Sequence, residues 1–362
     1  MEENQSSMMS ANIVGLGVEL PAHSLSQARA IQHAQTCCCD SPSRARVLER
    51  LYKRTEISNR SIVLQISKTE GIEQFYPSQN APSTALRMER YAADVIPLAL
   101  AASRNAIAES GVDVSQFKQL VTVSCTGFVS PGFDLALIKE LELDPSIGRT
   151  HIGFMGCHGS LNALRVASSF CKSGQAPVLL CSAELCSLHF QYDWDADHIL
   201  ANALFADGAA AMVLDSAARA ESWSVYESKS FVVPDSAELM SWSIGDNGFS
   251  MTLSSLVADV IQEQLRPWIE AWLRNSKLSL DSVRSWAIHP GGPRILDAVQ
   301  DCLGLSAEAM SPSRSVFEEC GNMSSPTVLF ILQRLRQLRA ETPCVMLAFG
   351  PGLTIEAALL LN

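Results

Sequence analysis

Three side chains with reactive potential stand at turns of this 362-residue chain: Cys157 in GFMGCHGSLNAL, His289 in SWAIHPGGP and Asn322 in ECGNMSSPTVL. Cys157 follows Gly156 at what reads as a strand-to-helix turn. Unpaired backbone N–H groups at a helix start favour negative charge and push a thiol towards thiolate. The flanking glycines allow a tight turn and a close approach of substrate to the backbone. His289 ends an apolar strand, and Pro293 is placed to start the next helix, RILDAVQDCLG. Asn322 opens a helical pattern, where asparagine is also a favoured N-cap. Taken singly, these residues read equally well as a buried thiol, a strand-end imidazole and a cap. Together they suit carbon–carbon bond formation between thioesters. The sulfur takes an acyl group, while His and Asn hold a thioester carbonyl oxygen as charge develops on it during decarboxylation.

The elements that must position them alternate. Strand-like NIVGLGVEL, LVTVSC and PVLLCSAEL are interleaved with helical DVIPLALAASRNAIAESG and HGSLNALRVASSFCKSG, which place Gly111 and Gly174 at helix ends. That alternation predicts α/β layers. A second set follows: SVRSWAIHPGG, GNMSSPTVLFILQRLRQL, TPCVMLAFGPGL and TIEAALLL. The sets align. Cys157 lies 32 residues after Cys125, and Asn322 lies 33 after His289. Both are preceded by glycine, and each half closes on an alanine-rich strand, AAAMVLD and AALLLN. An internal duplication follows, with halves at 1–218 and 219–362 and a period too long for a solenoid. The first half carries the cysteine, the second the histidine and asparagine.

Composition bounds the class. The chain is 47% hydrophobic and 18% charged, with net charge -11, which argues for a large globular core and against nucleic-acid binding. The opening MEENQSSMMSANIVGLG has no basic run, so it does not read as a signal peptide, and no stretch approaches the ~20 apolar residues of a membrane span. Eleven cysteines without framework spacing read as reduced thiols in a cytoplasmic protein, and no clustered ligand set implies a metal.

GNMSSPTVLFIL, AIHPGGPRILDAV and FGPGLT resemble signature segments of type III polyketide synthases, the chalcone synthase-like family of the thiolase fold. The resemblance runs from about residue 10 to the C-terminus, and HGSLNAL after the cysteine looks microbial. It implies a homodimer of five-layered αβαβα subunits. Acyl-CoA would load Cys157, and malonyl-CoA would be decarboxylated beside His289 and Asn322, with His289 helping to maintain the Cys157 thiolate. Repeated extension would give a poly-β-ketone that cyclises to a pyrone, resorcinol or phloroglucinol-type product. CoA thioesters are then the substrates, and no cofactor is called for. The Cys-His-Asn set alone is shared with ketoacyl-ACP synthase III, which condenses once, but HPGGP stands where that family has an HQAN-type segment. A catalytically silent acyl-CoA-binding relative is the other alternative.

The same resemblance assigns a cavity. Cys125 and Thr126 match a lining pair, Phe205 matches one member of an aromatic pair at the cavity mouth, and Met251 replaces the other. His189 and Trp242 fall where plant relatives carry a small hydroxyl residue and glycine. At both positions packing and cavity-lining readings are equally open. Ser324 matches a position linked with cyclisation. A flexible Met251 would suit fatty acyl starters. CoA phosphates need cations on this acidic chain, and RARVLERLYKRTEISNR, residues 44–60, holds six of them on a helical pattern. Arg50 and Arg54 share a face there, and Arg294, after HPGGP, is a further candidate near the pantetheine arm.

Overall fold

The computed structural model describes residues 10–67, 71–72, 75–77 and 80–362; the polar opening segment 1–9 lies outside them. Among the described residues the main sheet has nine strands in two leaves. From the centre outward the first leaf runs Asn12–Glu19, Asp207–Asp215, Val178–Leu185, Gln119–Ser124 and Gly148–Gly153. The second runs Trp223–Val232, Thr354–Leu361, Cys344–Gly350 and Ser285–Ile288. Each leaf repeats one pattern. Its first strand pairs antiparallel with its last, the last antiparallel with the strand before it, and that strand parallel with an earlier one. The leaves join where Asn12 and Ile13 pair with Ser224 and Trp223.

The strand period of two sorts side chains into layers. In Val178–Leu185, Val178 and Leu180 face a central apolar cluster, while Leu179, Cys181, Ala183 and Leu185 face an outer one. In Cys344–Gly350, Cys344, Met346 and Ala348 share that central cluster, and Val345, Leu347 and Phe349 face a third. The central cluster is filled by two helices, Gly159–Lys172 through Leu161, Leu164 and Ala167, and Thr327–Gln337 through Val328 and Leu332. Helix Thr84–Ser110 covers the first leaf from outside, and Val257–Asn275 with Pro293–Leu303 cover the second. Helix, sheet, helix, sheet, helix is the five-layered order expected of the thiolase fold.

Element ends differ from the sequence reading in instructive ways. The long helix starts at Thr84, capped by Ser83 Oγ, ten residues ahead of the apolar run, and continues through Pro97 to Gly111 at φ 60°. Helix Gly159–Lys172 stops short of Gly174, which takes its positive φ of 82° just beyond the Ser173 cap. The basic helical pattern ends early. Helix Pro42–Lys53 is capped by Arg54, and Arg60 lies in strand Asn59–Ile62, buried over the Tyr52 ring. No described helix is long and apolar enough to cross a membrane.

Candidate active site

Gly156 and Gly321, at matching places in the two halves, both hold left-handed backbone, φ 72° and 74°. A Cβ on Gly156 would lie 2.4 Å from Pro351 Cδ, and one on Gly321 would lie 3.1 Å from Ala206 Cβ. Glycine is therefore required before Cys157 by conformation and by space, and before Asn322 by conformation, with little room to spare. Cys157 sits in the short 3-10 turn Gly156–His158, just ahead of helix Gly159–Lys172. Asn322 does not cap its helix as the sequence reading has it. The helix begins at Thr327, and Asn322 instead pairs through its backbone with Leu204 and Ala206, beside Phe205.

This pairing sets the amide. Asn322 Oδ1 accepts from Ser324 N–H at 2.8 Å, which leaves Nδ2 as a donor, and the side chains of both Asn322 and Ser324 favour the charged form of the Cys157 sulfur. Burial nevertheless pushes the Cys157 thiol up to about 11, with the Ser324 bond the largest influence in the opposite direction. The helix-start effect expected from sequence is thus outweighed by desolvation. His289 ends the strand parallel to Cys344–Gly350, its N–H donating to Leu347 O at 2.8 Å. Its ring is fully buried, neither nitrogen has a hydrogen-bond partner, and burial lowers its pKa to about 3. A buried imidazole with both nitrogens unsatisfied is costly in a structural role and apt for a site awaiting substrate.

Cys157 opens into a pocket of about 370 Å³ lined with Cys125, Thr126, Ser324 and Pro351. Phe205, Trp242, Met251 and Cys186 form a wall that this pocket shares with a second cavity of about 660 Å³, which reaches Leu25, Ile62, Leu64 and Ile72. Trp242 is held in that wall by Nε1 donating to Cys125 O at 2.8 Å, and it stands opposite Met251 in the hairpin Met240–Gly245 with Gly248–Leu253. His189 lines the larger cavity and is also a fully satisfied structural histidine. Nε2 meets Thr126 O at 2.7 Å, Nδ1 accepts from Phe249 N at 3.0 Å, and the ring stacks on Phe249 at 4.1 Å.

Glu184 was not singled out from sequence. It is fully buried and accepts from Cys125 N at 2.9 Å, Thr126 N at 3.1 Å and Thr126 Oγ1 at 2.7 Å, and also from Ser325 Oγ. It thereby fixes the lining pair from behind, and burial raises its pKa. The available signal was one acid in the largely apolar strand VLLCSAEL. The structure does not bring the basic candidates to either cavity wall. Arg50 and Arg54 are exposed at the end of their helix, and Arg294 is exposed and faces Asp259 at 3.9 Å.

Comparison with known proteins accounts for nearly the whole chain. Residues 1–218 match the N-terminal domain of chalcone and stilbene synthases, and residues 224–362 match the C-terminal domain. The alpha-pyrone synthesis polyketide synthase-like Pks18 of Mycobacterium tuberculosis is 30% identical over 96% of this chain and 90% of its own length. The 1,3,6,8-tetrahydroxynaphthalene synthase of Streptomyces peucetius subsp. caesius is 29% identical over 96% and 92%. The crystal structure of PKS-I from the brown alga Ectocarpus siliculosus superposes with a TM-score of 0.93 at 30% identity, covering 99% of this chain and 100% of that one. The C-terminal type III polyketide synthase domain of Steely1 from Dictyostelium gives 0.91 at 26%, covering 98% and 99%. The chain belongs to the chalcone and stilbene synthase family of type III polyketide synthases, which are acyltransferases.

Proposed function

We propose that this enzyme loads an acyl-CoA starter on Cys157, extends it more than once with malonyl-CoA, and cyclises the poly-β-ketone to a pyrone, resorcinol or phloroglucinol-type product. The observation that carries the reading is Cys157 in the lining of a pocket it shares with Ser324, with Asn322 Nδ2 left as a donor by the Ser324 N–H bond to Oδ1. As Cys157 attacks the starter thioester its proton passes to His289 and CoA leaves as the thiol. Malonyl-CoA then loses CO2, and the electron pair of the broken bond moves onto the thioester oxygen as an enolate. Asn322 Nδ2 and His289 hold that oxygen. The enolate carbon attacks the Cys157 thioester, releasing Cys157 sulfur and a chain longer by one ketide unit. Decarboxylation supplies the carbanion, so the CoA thioesters suffice without a further cofactor.

Several features support the finer assignments. The apolar second cavity beyond Phe205, Trp242 and Met251 favours an aliphatic starter. Arg50, Arg54 and Arg294 are exposed cations for the CoA phosphates. Phe128, 72% exposed, and the exposed Val129, Leu135 and Met155 are uncovered apolar side chains that a second subunit of a homodimer would bury. A cytoplasmic enzyme fits the supply of CoA thioesters.

Two variants test the division of roles. Cys157→Ala is expected to abolish elongation while retaining malonyl-CoA decarboxylation, followed as CO2 release. His289→Ala is expected to lose both. Elongation by Cys157→Ala, or undiminished decarboxylation by His289→Ala, contradicts the assignment. A single condensation on a carrier protein would instead point to the ketoacyl-ACP synthase III chemistry, and absence of any acyl adduct on Cys157 to a silent acyl-CoA binder.

A further inference from the structure

We propose that His158 is a positioning residue for the Cys157 nucleophile, held by a buried relay that runs through Asn162 and Glu356 to Arg165 at the surface. The proposal rests on reading Cys157 as the acyl carrier. His158 directly follows that cysteine in the turn Gly156–His158, is 2% exposed, and takes part in none of the steps above.

The relay is continuous. His158 Nδ1 lies 2.6 Å from Asn162 Oδ1, one helical turn on. Asn162 Nδ2 donates to Glu356 Oε1 at 2.8 Å, so Oδ1 is the accepting end of the amide and the His158 proton sits on Nδ1. Glu356, itself buried, also accepts from Ser230 Oγ at 2.7 Å and from Arg165 at 2.9 Å, and the Arg165 side chain is 40% exposed. A buried carboxylate with this many donors is rigidly held, and it fixes the amide that fixes the imidazole. Burial lowers the His158 pKa, so the ring is neutral and brings no charge beside the sulfur.

The other side of the ring is pinned against the roof of the pocket. A Cβ on Gly350 would lie 2.4 Å from His158 Cδ2 and 2.9 Å from Nε2, while a Cβ on Gly156 would lie 2.4 Å from Pro351 Cδ. The contacts are reciprocal. The glycine of the nucleophile turn receives Pro351, and the glycine before Pro351 receives His158. Pro351 lines the catalytic pocket, so the place of this one ring sets both the peptide that carries Cys157 and the surface it faces. Displacement of a reacting atom by about 1 Å is enough to cost on the order of 100-fold in rate.

Three variants of the full chain test the relay: His158→Phe, which keeps ring volume without the donor; Asn162→Leu, which cuts the relay behind the ring; and His158→Asn, which keeps a donor at the Nδ1 place. The readouts are kcat and KM for malonyl-CoA, and the rate of iodoacetamide alkylation at Cys157, followed by peptide mass spectrometry. The Phe and Leu variants are expected to lose about tenfold in kcat and in alkylation rate with KM unchanged, and the Asn variant to recover at least part of both. Wild-type kcat and alkylation in the Phe or Leu variant, or an Asn variant no better than Phe, overturns the relay. If His158→Phe does not fold, Asn162→Leu and His158→Asn still decide. Alkylation needs no polyketide product. A wild-type chain that makes none would therefore sink the functional reading separately, while the variants still rank by alkylation.

Discussion

At Cys157 burial raises the thiol while the Ser324 and Asn322 donors pull it back, and burial prevails. A buried thiol of this kind needs a base; His289 is neutral with two unpaired nitrogens, and the burial that raises the thiol also lowers the basicity of this ring. His189 shows the contrasting case of an imidazole whose two nitrogens are both engaged, locking Thr126 to Phe249. His189→Leu leaves a buried carbonyl and a buried N–H without partners, at about 1–3 kcal/mol each. Its chemical denaturation midpoint is expected to fall accordingly, and a midpoint equal to wild type would show that those bonds carry no weight.

Among the elements, the hairpin carrying Trp242 and Met251 matters most for product. It closes the Cys157 pocket on one side and the larger cavity on the other. Trp242→Gly removes the largest side chain of the four-residue wall and its bond to Cys125 O, opening a path between spaces of about 370 and 660 Å³. Longer starters, longer chains or both are expected in the product mass spectrum; an unchanged profile would mean the chain never passes that wall. The tryptophan was visible in the sequence, whereas its place between two cavities was not, because the second cavity joins residues such as Leu25, Ile62 and Leu64 to others such as Phe190 and Phe249, remote in the chain. Glu184 and the His158 relay were hidden for the same reason. Glu184 meets Cys125 across 59 residues, and Asn162 meets Glu356 across 194. Local spacing shows turns and caps but not which turns meet. The turn glycines Gly156 and Gly321 were legible because their conformational requirement is local.

For the whole molecule, the doubled strand pattern places Cys157 and Asn322 at corresponding turns of the two leaves, which is why one duplicated architecture supplies both a nucleophile and a donor. The repeat was legible because strand and helix periodicities recur along the chain; the five layers required the leaves to stack. The same deep core sets acid sensitivity. His33 titrates near 4 and His189 and His289 near 3, each lowered by burial from 6.5, and His158 is lowered as well. Below about pH 6.5 the unfolded chain takes up protons on these rings that the folded chain refuses, so stability falls with acid. Asp207, raised by burial to about 7, and Glu184, raised likewise, act in the opposite sense, since the folded carboxyls bind protons first. The imidazoles outnumber the carboxyls. The Tm is therefore expected to drop between about pH 6.5 and 4, and a flat or rising Tm would contradict that balance.

The most direct measurement is a product mass spectrum from the purified chain given malonyl-CoA and acyl-CoA starters of graded aliphatic length, alongside aromatic ones. The expected result is CO2 release with products that carry the starter plus more than one ketide unit, best for aliphatic starters. Neither CO2 nor any extended product across all starters, or a single condensation and no more, would contradict the assignment of Cys157, His289 and Asn322 to iterative polyketide synthesis.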